Sequence, residues 1–202
     1  MADGPACRRV PFVGLTGGIG AGKSAALHAL EALGAATLST DTVAHELLAT
    51  PEVRDLLVDR LGSEVAPAGE VDRRAVGSRV FEHPEDRTWL EGVLWPRVAT
   101  RVAAWRDEVD AREPAPRAAV VEVPLLFEAG MAGLFDATVA VIAPEEAREQ
   151  RAASRGHAGV AARESRQLSQ GDKAARADHV VRNDGDLEQL SQHLSELLAT
   201  MG

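Results

Sequence analysis

The 202-residue sequence contains a single cysteine, Cys7, so no disulfide can form within the chain, which suits a reducing compartment such as the cytoplasm. Positive charge is also scarce. Against 31 Asp and Glu stand 22 Lys and Arg, leaving a formal net charge of −9. That balance argues against non-specific binding to nucleic acid or anionic membrane, which needs an excess of cations. Any anion site must therefore be a local cluster of Arg and Lys. No segment approaches the roughly 18 uninterrupted apolar residues of a membrane-crossing helix. Arg8 and Arg9 precede only a short apolar run, with no cleavage signal after it. The six histidines show no metal-ligand spacing, which argues against structural zinc. No internal repeat or low-complexity stretch is present. The composition, 45% hydrophobic and 26% charged, is that of a soluble globular protein, and the length suits one domain with appended subregions.

The most informative stretch runs from Gly17 to Ser24, Gly-Gly-Ile-Gly-Ala-Gly-Lys-Ser. It satisfies G-x-x-x-x-G-K-[ST] at every fixed position. An apolar run of strand length, 10–15, precedes it, and a segment of helical period follows. This order suits phosphate binding. Glycines let backbone N–H groups turn inward without Cβ clashes, and a helix start adds unpaired amides and a positive dipole end. Gly17, Gly18, Gly20, Ala21, Gly22, Lys23, Ser24 and Ala25 are the expected nucleotide-binding residues. Lys23 would reach the β- and γ-phosphates of a nucleoside triphosphate, and Ser24 would bind Mg²⁺. The loop does not fix what receives the phosphate. No N-K-x-D segment is present to read guanine, and the chain is small for an ABC-type ATPase. A small kinase remains, and its acceptor stays open on these residues alone.

Along the chain, strands are expected at 12–16, 36–39, 118–123, 137–142 and 179–182, with residues 1–9 as a disordered tail. Helices are expected at 23–33, stopped by Gly34, and at 42–48, which Asp41 could cap. A helix from Pro51 to Leu61 has Thr50 as its cap, a helix over 73–81 has Asp72, and the last helix begins after Asp186. A helix begins at Pro84, and Pro96 kinks or restarts it before it ends near Arg112. Two further helices, at about 144–155 and 158–169, flank Gly156. Residues 63–70 read as a loop. Trp95, beside Trp89, Leu90, Val93 and Leu94, is expected in the core. Alternation of strands and helices implies an α/β fold, a parallel sheet covered on both faces with ligands at the carboxyl ends of the strands.

Several segments together resemble one family, the dephospho-coenzyme A kinases. They are the run from Gly14 to Ser24, with its narrow Thr-Gly-Gly-Ile-Gly; Pro124-Leu125-Leu126-Phe127-Glu128; the distal pattern of Arg163, Gln167, Lys173, Ala177-Asp178 and Asn183; and Asp41, which matches the second acidic residue of the family's Asp-x-Asp. Ser39 stands where the family has the first of those acids, and Trp95-Pro96 where it has His-Pro. The resemblance implies a P-loop kinase three-layer fold with a five-stranded parallel sheet, a helical acceptor-binding insertion and an Arg-rich lid. It implies one domain with its core at about 10–41, 113–145 and 177–202, the acceptor region at about 42–112 and the lid at about 146–176. The implied reaction transfers the γ-phosphoryl of ATP, with Mg²⁺, to the 3′-hydroxyl of dephospho-coenzyme A, the last step of coenzyme A synthesis. ATP and dephospho-coenzyme A are then the partners of a protein expected to be a monomer, without nucleic acid or membrane.

Asp41 is the expected catalytic base. It lies just past the second strand on the side where ligands bind, and the family match gives that position the same role. Arg151 and Arg155, four apart on one helix face, would neutralise the transferring phosphoryl, the alternative being a basic face paired with Glu145, Glu146 and Glu149. Glu122, near the end of the central strand, suits either Mg²⁺ held through water or a hydrogen bond within the sheet. Glu128 suits a contact with acceptor or with a neighbouring loop. Arg73, Arg74 and Arg97 suit acceptor phosphates or plain surface.

Overall fold

The computed structural model describes residues 9–154 and 167–201. Cys7, Arg155, Arg163 and most of the expected helix at 158–169 lie outside the described residues. By residue contacts the chain divides into two compact units, Met1–Ser39 with Arg106–Gly202, and Thr40–Trp105.

The first unit carries the sheet. Its strands are β1 (Phe12–Gly17), β2 (Ala36–Ser39), β3 (Ala119–Glu122), β4 (Ala137–Ile142) and β5 (His179–Arg182). They pair in the order β2-β3-β1-β4-β5, and every pairing is parallel. β1, rather than β3 as expected for the strand of Glu122, is central, and it is wholly buried. Its side chains alternate between two faces, as strand geometry requires. Val13 and Leu15 join Val120, Val139, Val141 and Val181 in a cluster closed by two helices, α1 (Lys23–Ala32) and the chain's last helix, Leu187–Thr200, through Ala26, Leu30, Leu190, Leu194 and Leu198. Phe12, Gly14 and Thr16 face the other way. Phe12 stacks on Phe135 with ring centroids 4.7 Å apart. A Cβ on Gly14 would lie 2.6 Å from Leu126, so glycine is needed for the Pro124–Glu128 turn to close over the strand. Helices thus cover both faces of a parallel sheet, the α/β class its alternating pattern implies.

The second unit holds α2 (Thr40–Leu48), α3 (Pro51–Leu61), α4 (Arg73–Glu82) and most of α5 (Pro84–Asp110). Leu48, Val53, Leu57, Leu61, Val65, Val76 and Leu90 form its core. Its caps are the expected ones: Thr50 accepts from the Val53 amide, and Asp72 from those of Arg74 and Ala75. Asp86 is buried between Arg60 and Arg79, whose Nε atoms donate to its two oxygens at 3.0 and 2.9 Å. Burial alone would raise the Asp86 carboxyl; the hydrogen bonds and charges of Arg79 and Arg60 outweigh it and hold the group below the usual carboxylate range.

Four local expectations are corrected. The helix expected from residue 42 begins at Thr40, so Asp41 sits inside its first turn rather than capping it. Pro96 does not restart the helix but lies within one span of 27 residues. Leu90, Val98 and Val102, spaced by multiples of four, keep one face of that helix buried, and such packing outweighs the roughly 3 kcal/mol that an interior proline costs. Trp95 falls off that row and is 42% exposed, while Trp89 and Leu94 pack on the core instead. Finally, residues 63–70 contain two short 3₁₀ turns, Ser63–Val65 and Pro67–Gly69.

After β4 comes α6 (Glu145–Ser154). Residues 167–169 are not helical; Ser169 instead caps α7 (Gln170–Arg176), a helix the periodicity did not indicate. The chain ends in α8 (Leu187–Thr200), capped by Asp186 through the Gln189 amide.

Candidate active site

Four of the parallel strands leave the sheet of the first unit at one edge, and the segments that follow them are held together there by side chains. β1 runs into the glycine loop, which enters α1 at Lys23. Unlike α3, α4, α7 and α8, α1 has no side-chain cap, and its first turn carries no acidic residue. Its N-cap is Gly22, in the left-handed region at φ 97°. A Cβ there would collide with the Asn183 side chain as well as strain the backbone. Gly20 is similar at φ 75°, and a Cβ there would lie 2.5 Å from the Arg148 carbonyl. A helix start without a side-chain cap, with its positive dipole end, suits an anion. Lys23 Nζ donates to the Gly17 and Gly18 carbonyls, each at 3.1 Å, which holds the ammonium on the loop. Ser24 is exposed in the first turn of α1.

The loop is braced from β4, α6 and β5. Arg148 Nε donates to Ile19 O at 2.9 Å and its Nη1 to Glu145 at 2.6 Å. Arg151 Nη1 reaches Gly20 O at 3.5 Å. Asn183, buried at the exit of β5, donates through Nδ2 to Ala21 O at 2.8 Å, while its own amide donates to Ile142 O. Beside this bracing lies an open cavity of about 670 Å³ lined by Gly22, Ala25, Arg151, Asn183, Gly185, Asp186, Leu187 and Glu188. Leu187 is 70% exposed at its wall. A glycine loop of the phosphate-binding pattern and an adjoining recess with an exposed apolar side chain suit a nucleotide with a planar base.

On the other face, the Pro124–Glu128 segment follows β3. Thr16 Oγ1 donates to Pro124 O at 3.3 Å. Glu128 Oε1 accepts from the Leu168 amide at 2.8 Å and from Lys173 Nζ at 3.0 Å. Of the two roles open to Glu128, the structure thus supplies contacts with neighbouring chain. Burial lowers the Lys173 ammonium from its ordinary value, and the Glu128 carboxylate pulls in the opposite direction. Asp178 accepts from the Thr138 hydroxyl at 2.7 Å and the Thr138 amide at 2.8 Å, which together hold its carboxyl below the usual range. Glu122 is buried at the end of β3, in register with Leu15 of β1 and Ser39 of β2.

The structure therefore brings Gly17, Gly18, Gly20, Ala21, Gly22, Lys23, Ser24, Ala25 and Arg151 into one neighbourhood, with Glu122 on the strand beside β1. Asp41 belongs to the second unit, exposed in the first turn of α2. There Arg97 bonds Glu52 and the Val93 carbonyl, while Arg73 and Arg74 are exposed. Sequence reasoning missed Arg148, which its three-residue offset from Arg151 on one helix face could have flagged. It placed Lys173 in the family pattern without a role and passed over Gln170; the contacts of both are tertiary.

Known proteins resemble the chain over most of its length. A model of the dephospho-CoA kinase family matches residues 11–189. Two curated proteins named dephospho-CoA kinase are similar over most of the chain. The one from Protochlamydia amoebophila is 35% identical over 190 residues, covering 92% of this chain and 93% of its own. The one from Moorella thermoacetica is 39% identical over 183 residues, covering 88% and 85%. Among solved structures, a Thermus thermophilus protein matches with a TM-score of 0.81 and 33% identity, covering 96% of this chain and all of that one. The dephospho-CoA kinase from Campylobacter jejuni matches with a TM-score of 0.68 over 93% of this chain and 94% of its own; at 23% identity it speaks for the fold. With the braced glycine loop at the edge of a parallel sheet, and a family model and relatives that span most of its length, the chain belongs to the dephospho-CoA kinase family.

Proposed function

We propose that this protein transfers the γ-phosphoryl group of ATP to the 3′-hydroxyl of dephospho-coenzyme A, giving coenzyme A and ADP, as a monomer in the cytoplasm. The observation that carries the reading is the uncapped start of α1 inside the glycine loop, with Lys23 held on that loop, in a member of the dephospho-CoA kinase family. The loop amides and Lys23 bind the β- and γ-phosphates, and Arg151 adds charge from the same side. Arg155 joins it in this proposal, in a lid at about 146–176, though Arg155 itself lies outside the described residues. The recess beside Ala25 and Leu187 takes the base. Asp41, an exposed carboxylate two residues past β2, accepts the proton of the acceptor hydroxyl. The helices of the second unit hold the acceptor.

Two residues carry oxygen donors that fit Mg²⁺. An exposed hydroxyl at Ser24 in the first turn of α1 and a carboxylate at Glu122 on the adjoining strand end are the hard oxygen donors it takes. When bound, Mg²⁺ neutralises charge on the β- and γ-phosphates. A coupled ADP-release assay against dephospho-coenzyme A, nucleoside monophosphates and small alcohols tests the proposal. Turnover is expected with dephospho-coenzyme A, at a kcat/KM at least about 100-fold above the other acceptors. A preference for a nucleoside monophosphate or an alcohol would contradict the assignment.

A further inference from the structure

One charge sits beneath the exits of two strands. Lys173 on α7 has no exposed surface. A buried ammonium is costly unless its donors are satisfied and its charge is paired. An ammonium has three donors, and Lys173 Nζ spends them on Glu128 Oε1 at 3.0 Å, Thr16 Oγ1 at 3.4 Å and the Pro124 carbonyl. The partners are telling. Thr16 is the residue before Gly17, whose carbonyl, with that of Gly18, receives Lys23 Nζ. Pro124 opens the segment after β3, and Glu128 closes it. Three residues earlier on the same helix, Gln170 grips the end of β4 like a strand: its Oε1 accepts from the Ala143 amide at 3.1 Å and its Nε2 donates to the Ala143 carbonyl at 2.9 Å. Ala143 leads into α6, which carries Arg148 and Arg151. A helix of seven residues thereby pins the exits of β1, β3 and β4 together.

We propose that Lys173 is a positioning residue for phosphoryl transfer: through Thr16 and Pro124 it fixes where the phosphate loop leaves β1, and so where Lys23 stands relative to the Pro124–Glu128 segment. The inference rests on the kinase reading above. Lys173 touches neither nucleotide nor acceptor in this account; its effect passes through the backbone of the loop. In-line transfer depends on placement, so a small shift at the take-off of the loop lowers the rate of the chemical step more than it weakens binding. A plain buried ion pair would act differently. Its loss would lower the melting temperature and leave turnover per folded molecule unchanged.

The test compares full-length wild type with Lys173→Met, which keeps the length of the side chain and removes its three donors. ADP release with dephospho-coenzyme A is normalised to the folded fraction measured by circular dichroism at the assay temperature. The expected result is a fall in kcat of about 10- to 100-fold, with KM for dephospho-coenzyme A within about three-fold of wild type. A kcat within about two-fold of wild type, whatever the melting temperature, overturns the proposal. If Lys173→Met does not fold, Thr16→Val decides, because it keeps the shape of the side chain and deletes only the hydroxyl, which meets Lys173 and itself donates to the Pro124 carbonyl that Lys173 also holds. A kcat lowered by about three-fold or more supports the role, and an unchanged kcat overturns it. Wild-type turnover with unaffected variants rejects this inference alone. A wild type that does not phosphorylate dephospho-coenzyme A rejects the kinase reading and this inference with it.

Discussion

Asp41 shows how one residue can be assigned from two directions and then separated. Its place in the first turn of α2 gives the carboxylate a modest structural role, since negative charge near a helix N-terminus is worth about 0.3–1 kcal/mol. As a base it would be worth far more to turnover than to stability. Asp41→Asn keeps size and polarity and removes both the charge and the base. Steady-state kinetics on this variant should show kcat reduced roughly 10²–10⁴-fold, with ATP affinity little changed and stability lowered by no more than the dipole term. Turnover within a few-fold of wild type would leave Asp41 as a helix-start residue only. Residues like those of the glycine loop were legible in the sequence because their chemistry depends on spacing along a few consecutive positions. Gln170 was not, because it works by reaching a carbonyl far away in the chain; Lys173 stood in the family pattern and Arg148 on the helix face of Arg151, but their roles rest on equally distant partners. Trp95 was misread because composition places tryptophan inside, whereas the helical row through Leu90 and Val98 places this one outside.

At the scale of elements, strands and most helix ends were legible. β2, β4 and β5 match the expected spans, and Thr50, Asp72 and Asp186 cap as their residue types suggest. α7 was missed because Ser169, its cap, falls within a polar stretch with no apolar period. Of the restart and the kink expected at Pro96 the structure excludes the restart, since local propensity is weaker than the packing of a long helix. The clamp that joins α3, α4 and α5 makes a prediction at this scale. The Asp86 carboxyl is depressed below its unfolded value, so between the two values the unfolded chain binds more protons than the folded one. The stability it contributes is therefore present above the unfolded value of about 3.9 and is lost as pH falls through the folded one. Denaturant unfolding of wild type and Asp86→Asn across the acid range should show a stability gap that is full above about pH 5 and closes steadily below pH 4. A gap independent of pH would mean that the charge of Asp86 contributes nothing to the clamp.

For the molecule as a whole, a net charge of −9 requires that a site for polyphosphate be assembled locally, and the order β2-β3-β1-β4-β5 does this. It puts the central strand, the glycine loop and the exits of β3, β4 and β5 at one edge of the sheet, where Lys23, Arg148 and Arg151 collect. That arrangement accounts for the donor, and membership of the dephospho-CoA kinase family indicates the acceptor. The central claim concerns a single bond, the one between the transferred phosphorus and the 3′-oxygen of dephospho-coenzyme A. Phosphorus NMR of the product formed by the wild-type protein from ATP and dephospho-coenzyme A tests it directly. A new phosphomonoester signal coupled to the ribose 3′-proton, formed in equal amount with ADP, is expected. A phosphomonoester at another position, or ADP and inorganic phosphate with dephospho-coenzyme A unchanged, would contradict it.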